Sequence, residues 1–260
     1  MSLDPTRALP SLKPFALTHI LYDPLHPLSI PLTLLSLTPI FLFVAYFTLA
    51  VFTRRLTILL LALGSVANEA LSLILKRWWK GDRPYKGLLG LGDVGEGYGM
   101  PSSHAQAAGF LVAWGMGYAL SMEKRRDMEA RKTGRAVDTR PGVQTVRTIR
   151  TAVCLFGLVL WSLLVAYSRY HLHYHSAYQI TVGYLVGLIA GAAHFAITEH
   201  VPLHYPASIP GRIRGGIEWV WTGIGGVGGW QLGDAPGGWG EGPLFLSGAD
   251  RSSTAGKKRS

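Results

Sequence analysis

Residues 30–52 read IPLTLLSLTPIFLFVAYFTLAVF, a stretch with no Asp, Glu, Lys or Arg. An α-helix rises about 1.5 Å per residue, so a run of this length crosses the ~30 Å hydrocarbon layer of a bilayer. Four further apolar runs, at Leu56–Leu75, Ala105–Met122, Thr151–Tyr167 and Tyr178–Thr198, decide for the membrane. Lipid offers no water to backbone N–H and C=O groups, so segments of this length span it as helices. The fold expected is an all-α integral membrane protein, a helical bundle of about five transmembrane helices. Composition agrees: 48% of residues are hydrophobic, 15% are charged, and the mean hydropathy is +0.24.

The formal net charge is +10 and the sequence pI about 9.9. The apolar runs leave no broad soluble basic face, so anionic lipid is an expected partner and nucleic acid is not. Five spans divide the remaining chain into two sides. The side holding the loops after spans one and three, together with the tail, carries 17 Lys and Arg against 8 opposite. The positive-inside rule makes the richer side cytosolic. No signal-peptide core stands before Phe15, so the first span is expected to serve as the anchor. The lone Cys154, inside an apolar run, reads as a small core residue.

Polar chemistry is concentrated in the non-cytosolic loops. The second span ends in LKRWWKGDRPY (75–85), which sets Lys76 and Arg83 at the mouth of the membrane. The same loop closes on YGMPSSHAQ (98–106), with Pro101, Ser102 and Ser103 opening the third helix and His104 in its first turn. Free N–H groups at a helix start, with serine hydroxyls beside them, suit an oxyanion. Between spans four and five, SRYHLHYHSAYQ (168–179) brings Arg169 and His175 to the same level. Cations and N–H donors stabilise a transferring phosphoryl group, one histidine attacks phosphorus, and another protonates the leaving oxygen. The inventory is that of phosphoryl transfer with no metal and no other cofactor. His171, His173 and His175 alternate, but no Asp, Glu or Cys stands at ligand spacing, so a metal site is not expected.

Lys76 with Arg83-Pro84, then Pro101-Ser102-Ser103-His104, then Ser168-Arg169 with His175, resemble in order and spacing the three-part signature of the type 2 phosphatidic acid phosphatase superfamily. Two positions depart from its usual pattern: Ser103 stands where glycine is common, and Gln179 where an Asp follows the histidine. The longer strings ALTHILYDP (16–24) and NEALSLILK (68–76), with the two motif strings above, resemble the dolichyldiphosphatase branch, in which both departures are expected.

That resemblance implies hydrolysis of a polyprenyl (dolichyl) diphosphate at the lumenal face of the endoplasmic reticulum, recycling the lipid carrier of protein N-glycosylation. His175 is then the nucleophile and His104 the general acid and base. Lys76, Arg83, Ser102, Ser103 and Arg169 clamp the phosphates. Gln179, four residues beyond His175, is expected to orient its imidazole through the amide carbonyl, a weaker push than a carboxylate gives. Glu69, inside span two beside Asn68, is expected to support a motif cation from below.

The organisation expected is a lumenal N-terminal segment over 1–29 and a transmembrane phosphatase domain over 30–200. An interfacial or weakly embedded segment follows over 201–234, and a disordered cytosolic tail over 235–260. Two other readings share these motifs: a lipid monophosphate phosphatase of the same superfamily, and a membrane protein that binds or flips a polyprenyl phosphate without cutting it. The sequence carries no sign of an oligomeric state.

Overall fold

The apolar runs fold as helices, and the computed structural model describes residues 13–14, 20–53, 55–84, 97–134 and 141–223. Residues 1–12 and 15–19 of the expected N-terminal segment, part of the motif loop (85–96), and the end of the expected interfacial segment with the tail (224–260) lie outside the described residues. A short antiparallel pair, β1 (Lys13–Pro14) and β2 (Leu21–Tyr22), sets Lys13 opposite Tyr22. The helices are α1 (Ser29–Ser36), α2 (Thr38–Thr53), α3 (Leu56–Trp79), α4 (Ser103–Thr133), α5 (Pro141–His171), α6 (Ala177–Phe195), α7 (Val201–His204) and α8 (Ile209–Glu218). Single π-helical turns, Ala196–His200 and Trp219–Gly223, follow α6 and α8.

Among the described residues, three helical stretches are long and apolar enough to cross a membrane: Leu56–Trp79, Pro141–His171 and Ala177–His204. The pair α1 and α2 makes a fourth candidate if it counts as one bent span. The run at 30–52 is thus two helices rather than one. Its break falls at Leu37, just before Pro39, which has no N–H to give to the carbonyl four residues back.

The third expected span, within α4, falls outside that group. His104, Gln106 and several glycines dilute its apolar run. The physical reason lies in its surroundings, because Ala105, Ala108, Phe110, Val112 and Trp114 are all buried against protein. A membrane helix whose polar positions face protein rather than lipid tolerates them.

The chain divides into two compact units, Met1–Phe41 with Gly64–His200, and Leu42–Leu63 with Val201–Ser260. In the first, α4 runs against α6 along Gly183, Gly187 and Gly191, where a Cβ would collide with the backbone of Ser102, Gln106 and Phe110 in turn. Close backbone approach over small residues is how helices associate where lipid removes the hydrophobic drive between them. Polar ties complete the packing. Gln106 Nε2 donates to both the carbonyl and the side-chain oxygen of Asn68 at 3.0 Å, joining α4 to α3. Ser162 Oγ and Tyr184 OH lie 2.8 Å apart between α5 and α6.

Far along α4 from its start, Arg125 forms a 2.7 Å ion pair with the fully buried Glu199 and lies 4.7 Å above the Tyr118 ring. Cys154 is exposed on α5 rather than in the core, on a helix whose Val153, Phe156 and Leu160 also face outward, as lipid contact requires.

In the second unit, Ser208 caps α8 by accepting from Gly211 N at 3.2 Å, and Arg214 donates to Thr57 Oγ at 3.3 Å. Ile209, Ile213 and Ile217 recur at helical spacing on an exposed face of α8.

Candidate active site

The site assembles where three helix ends of the first unit meet. Two of those ends stop abruptly. Lys80 after α3 and His173 after α5 adopt left-handed backbones, with φ of 47° and 62°, where glycine is the usual residue. The Lys80 N–H donates to the Lys76 carbonyl at 3.0 Å, and Tyr174 and His175 N–H groups both return to the Arg169 carbonyl at 3.1 and 3.3 Å. The third end is the start of α4, where the Ser102 carbonyl accepts the first helical bond from Gln106 N at 2.9 Å.

These turns bring the expected cations and serines together. Lys76 Nζ donates to Ser103 Oγ at 3.2 Å. Lys76 also lies within electrostatic range of Glu69, Arg83 and Arg169, and Glu69 sits about two helical turns before it on the same face of α3. Arg83 and Arg169 share one aromatic platform: their guanidinium carbons lie 5.9 and 4.1 Å from the Tyr174 ring centre. His104 comes close enough to Arg169, His175 and Lys76 to feel their charges, and its ring meets the Ser36 backbone at the end of α1.

Three polar atoms of this cluster, Ser102 Oγ, Arg83 Nε and Arg169 Nε, are buried without a hydrogen-bond partner. Each such atom costs about 1–3 kcal/mol, a penalty that native interiors avoid unless the group serves a ligand.

His175 is buried, with Nδ1 2.9 Å from the Gly99 carbonyl oxygen. A carbonyl only accepts, so Nδ1 carries the proton and Nε2 keeps its lone pair, an assignment made from the partner. Burial, and then the positive charges of Arg169 and Arg83, push the imidazole down to about 3, against a smaller upward effect of the Gly99 carbonyl. The ring is therefore neutral at physiological pH. Burial also lowers Arg83 from its ordinary value, with Tyr174 opposing.

Gln179 differs from its expected placement. It is the third residue of α6, and its side chain closes a capping box: Oε1 accepts from Ser176 N and Ser176 Oγ accepts from Gln179 N, each at 3.2 Å. Its Nε2 donates to the Asp82 carbonyl at 2.7 Å, and its own carbonyl accepts from Ser102 N at 3.2 Å. The partner of the His175 ring is Gly99. The physical reason is that a glutamine at the third helical position turns back toward the cap rather than outward to a residue four positions earlier.

His171, of the alternating histidines, turns away from this cluster to Ser29 Oγ at 3.3 Å and to the His26 ring at 4.4 Å. Sequence reasoning passed over two contributors. Tyr174 stands between Arg169 and His175 in the third motif, where an aromatic beside a cation was a readable signal. Gly99 contributes only a carbonyl, which no residue type announces.

Residues 55–201 match the model of a family described as the PAP2 superfamily. A Neurospora crassa protein that carries the name dolichyldiphosphatase provisionally is 43% identical over 102 residues, 39% of this chain and 35% of its own length. The Saccharomyces cerevisiae dolichyldiphosphatase is 31% identical over 169 residues, 64% of this chain and 62% of its own. Homo sapiens dolichyldiphosphatase 1 is 31% identical over 175 residues, 67% of each chain. The chain thus spans between about a third and two thirds of the length of these curated relatives. No solved structure matches it. The matched region takes in more than half of the chain and every residue from Glu69 to Gln179, and on that ground the chain belongs to the PAP2 superfamily.

Proposed function

We propose that this chain hydrolyses dolichyl diphosphate to dolichyl phosphate and inorganic phosphate through a phosphohistidine. The observation that carries the reading is the convergence of a neutral His175 Nε2 with unsatisfied donors of Ser102, Arg83 and Arg169 beside the N-terminus of a 31-residue helix. The names of the relatives supply the lipid diphosphate. In the first step Nε2 of His175 donates its lone pair to the terminal phosphorus. The bond from phosphorus to the bridging oxygen breaks, its electrons stay with dolichyl phosphate, and His104 gives that oxygen a proton. Water then attacks the phosphorus of the phosphohistidine and passes a proton to His104, and the N–P bond breaks to free phosphate.

Lys76, Arg83, Arg169, Ser102 and Ser103 hold the charge that builds on the phosphoryl oxygens, and Arg83 and Arg169 bring planar forks suited to them. Gln179 acts as a support of this machinery, and Glu69 steadies Lys76 from below.

In our reading the chain crosses the membrane five times, through the α1–α2 pair, α3, α4, α5 and α6. Protein neighbours compensate for the lower hydropathy of α4. The excess of Lys and Arg on the opposite side supports a site facing the lumen of the endoplasmic reticulum, where the reaction returns the lipid carrier of protein N-glycosylation.

The covalent step is testable by trapping. Dolichyl diphosphate labelled in its terminal phosphate should leave acid-labile, base-stable label on the wild-type protein and none on His175→Ala. Label retained by His175→Ala would reject His175 as the nucleophile.

A further inference from the structure

We propose that the Gly99 carbonyl orients the nucleophilic imidazole of His175, and that Gln179 acts on it only at a distance, as the latch holding the Gly99 segment in place. The inference deepens the functional reading above and rests on it for the role of His175.

The geometry has two parts. Among the described residues, the Gly99 carbonyl is the hydrogen-bond partner of the His175 ring, at 2.9 Å from Nδ1, and the Gly99 N–H donates to the Gly81 carbonyl at 2.7 Å. The carbonyl thus sits on a strand of backbone tied to the loop after α3. A Cβ at Gly99 would stand 2.9 Å from Arg83 Cγ and from both amide atoms of Gln179, so any other residue there would have to displace one of those side chains.

Gln179 supplies the second part. Its amide donates to Asp82, accepts from Ser176, and its backbone carbonyl accepts from Ser102, so one residue bridges all three motif segments. A neutral carbonyl fixes the tautomer as a carboxylate would, without adding charge, in keeping with a buried ring that stays unprotonated.

This assignment reverses the ordinary expectation for a carboxylate at position 179. An aspartate or glutamate there can still accept from Ser176 N, and glutamate at the third helical position is a favoured capping residue. Neither can donate to the Asp82 carbonyl, and each would set an anionic oxygen against it. Gln179→Glu therefore keeps the cap and removes the latch alone.

The test uses the full-length chain in detergent micelles with 15N-labelled histidine, the His175 resonances being assigned by loss in His175→Gln. Expected in the wild type is a neutral ring protonated at Nδ1; an Nε2-protonated ring, or an exchanging mixture, would overturn the proposal. Gln179→Glu should melt at the wild-type temperature yet release phosphate from dolichyl diphosphate roughly 10- to 100-fold more slowly, in kcat with KM nearly unchanged, the usual effect of losing a supporting partner. Its ring should show mixed tautomers. Gln179→Asp at or above the wild-type rate would contradict the latch. Gly99→Ala should lose activity at least as far, and because the wild-type spectrum and Gln179→Glu stand without it, failure of that variant to fold leaves the test intact. A wild type with the Nδ1 proton that releases no phosphate would overturn the hydrolytic reading while supporting this geometry.

Discussion

At the scale of the residue, the proposed chemistry turns on which nitrogen of His175 holds a proton. Its ring is buried beside Arg169 and Arg83, and its pKa is held near 3 against an ordinary value of about 6.5. The sign of the consequence follows from linkage. Between pH 6.5 and 3 the unfolded chain binds a proton here that the folded chain refuses, so this histidine lowers stability progressively as pH falls through that window. His175→Gln removes the effect, and the stability of wild type relative to that variant should decline from pH 7 to pH 4 in thermal melts. The His175 resonances should not titrate over the same range, and a midpoint near 6 would show the ring to be solvated. That Lys76, Arg83, His104, Arg169 and His175 gather in one candidate site was readable in the chain from their motif spacing. Their fine arrangement was not. Gly99 acts through a carbonyl that every residue possesses, and Gln179 bonds backwards into its own helix cap, a choice set by tertiary approach rather than by residue type.

At the scale of the element, helices were legible from apolar runs, but their ends and packing were not. α4 and α5 each extend to 31 residues, about 46 Å at 1.5 Å per residue, well past the apolar stretches at 105–122 and 151–167. Their polar ends carry no apolar run, and hydropathy is blind to them. The break between α1 and α2 did carry a signal, Pro39, inside a run that reads as one span. The pairing of α4 with α6 rests on a glycine stripe and, at the far end, on Arg125 with Glu199 of the π-helical turn that follows α6. Removing one partner of such a pair leaves a buried charge, typically costing 3–5 kcal/mol, and the partial exposure of Arg125 argues for the lower end. Arg125→Met should therefore destabilise the protein by about 3 kcal/mol in detergent melts. Adding Glu199→Leu should recover at least half of that loss; a double variant no more stable than Arg125→Met would deny the ion pair this role.

At the scale of the whole molecule, helix ends and buried donors converge on one cluster, which the proposed function reads as a phosphate site, on a chain with several helices apolar enough for lipid. In the proposed function the Lys and Arg asymmetry favours the lumenal side for that cluster, and the proposed substrate is a diphosphate. A diphosphate also suits the chemistry. Its leaving group is a phosphate with a second pKa of about 6, which departs more readily than the alkoxide left by a monophosphate. The most direct measurement compares phosphate release by the purified chain, in detergent with metal removed, from dolichyl diphosphate, dolichyl phosphate and phosphatidate. Release from dolichyl diphosphate roughly tenfold or more above the other two, and lost in His175→Ala, is the result expected. Equal or faster release from a monophosphate, or release that survives His175→Ala, would contradict it.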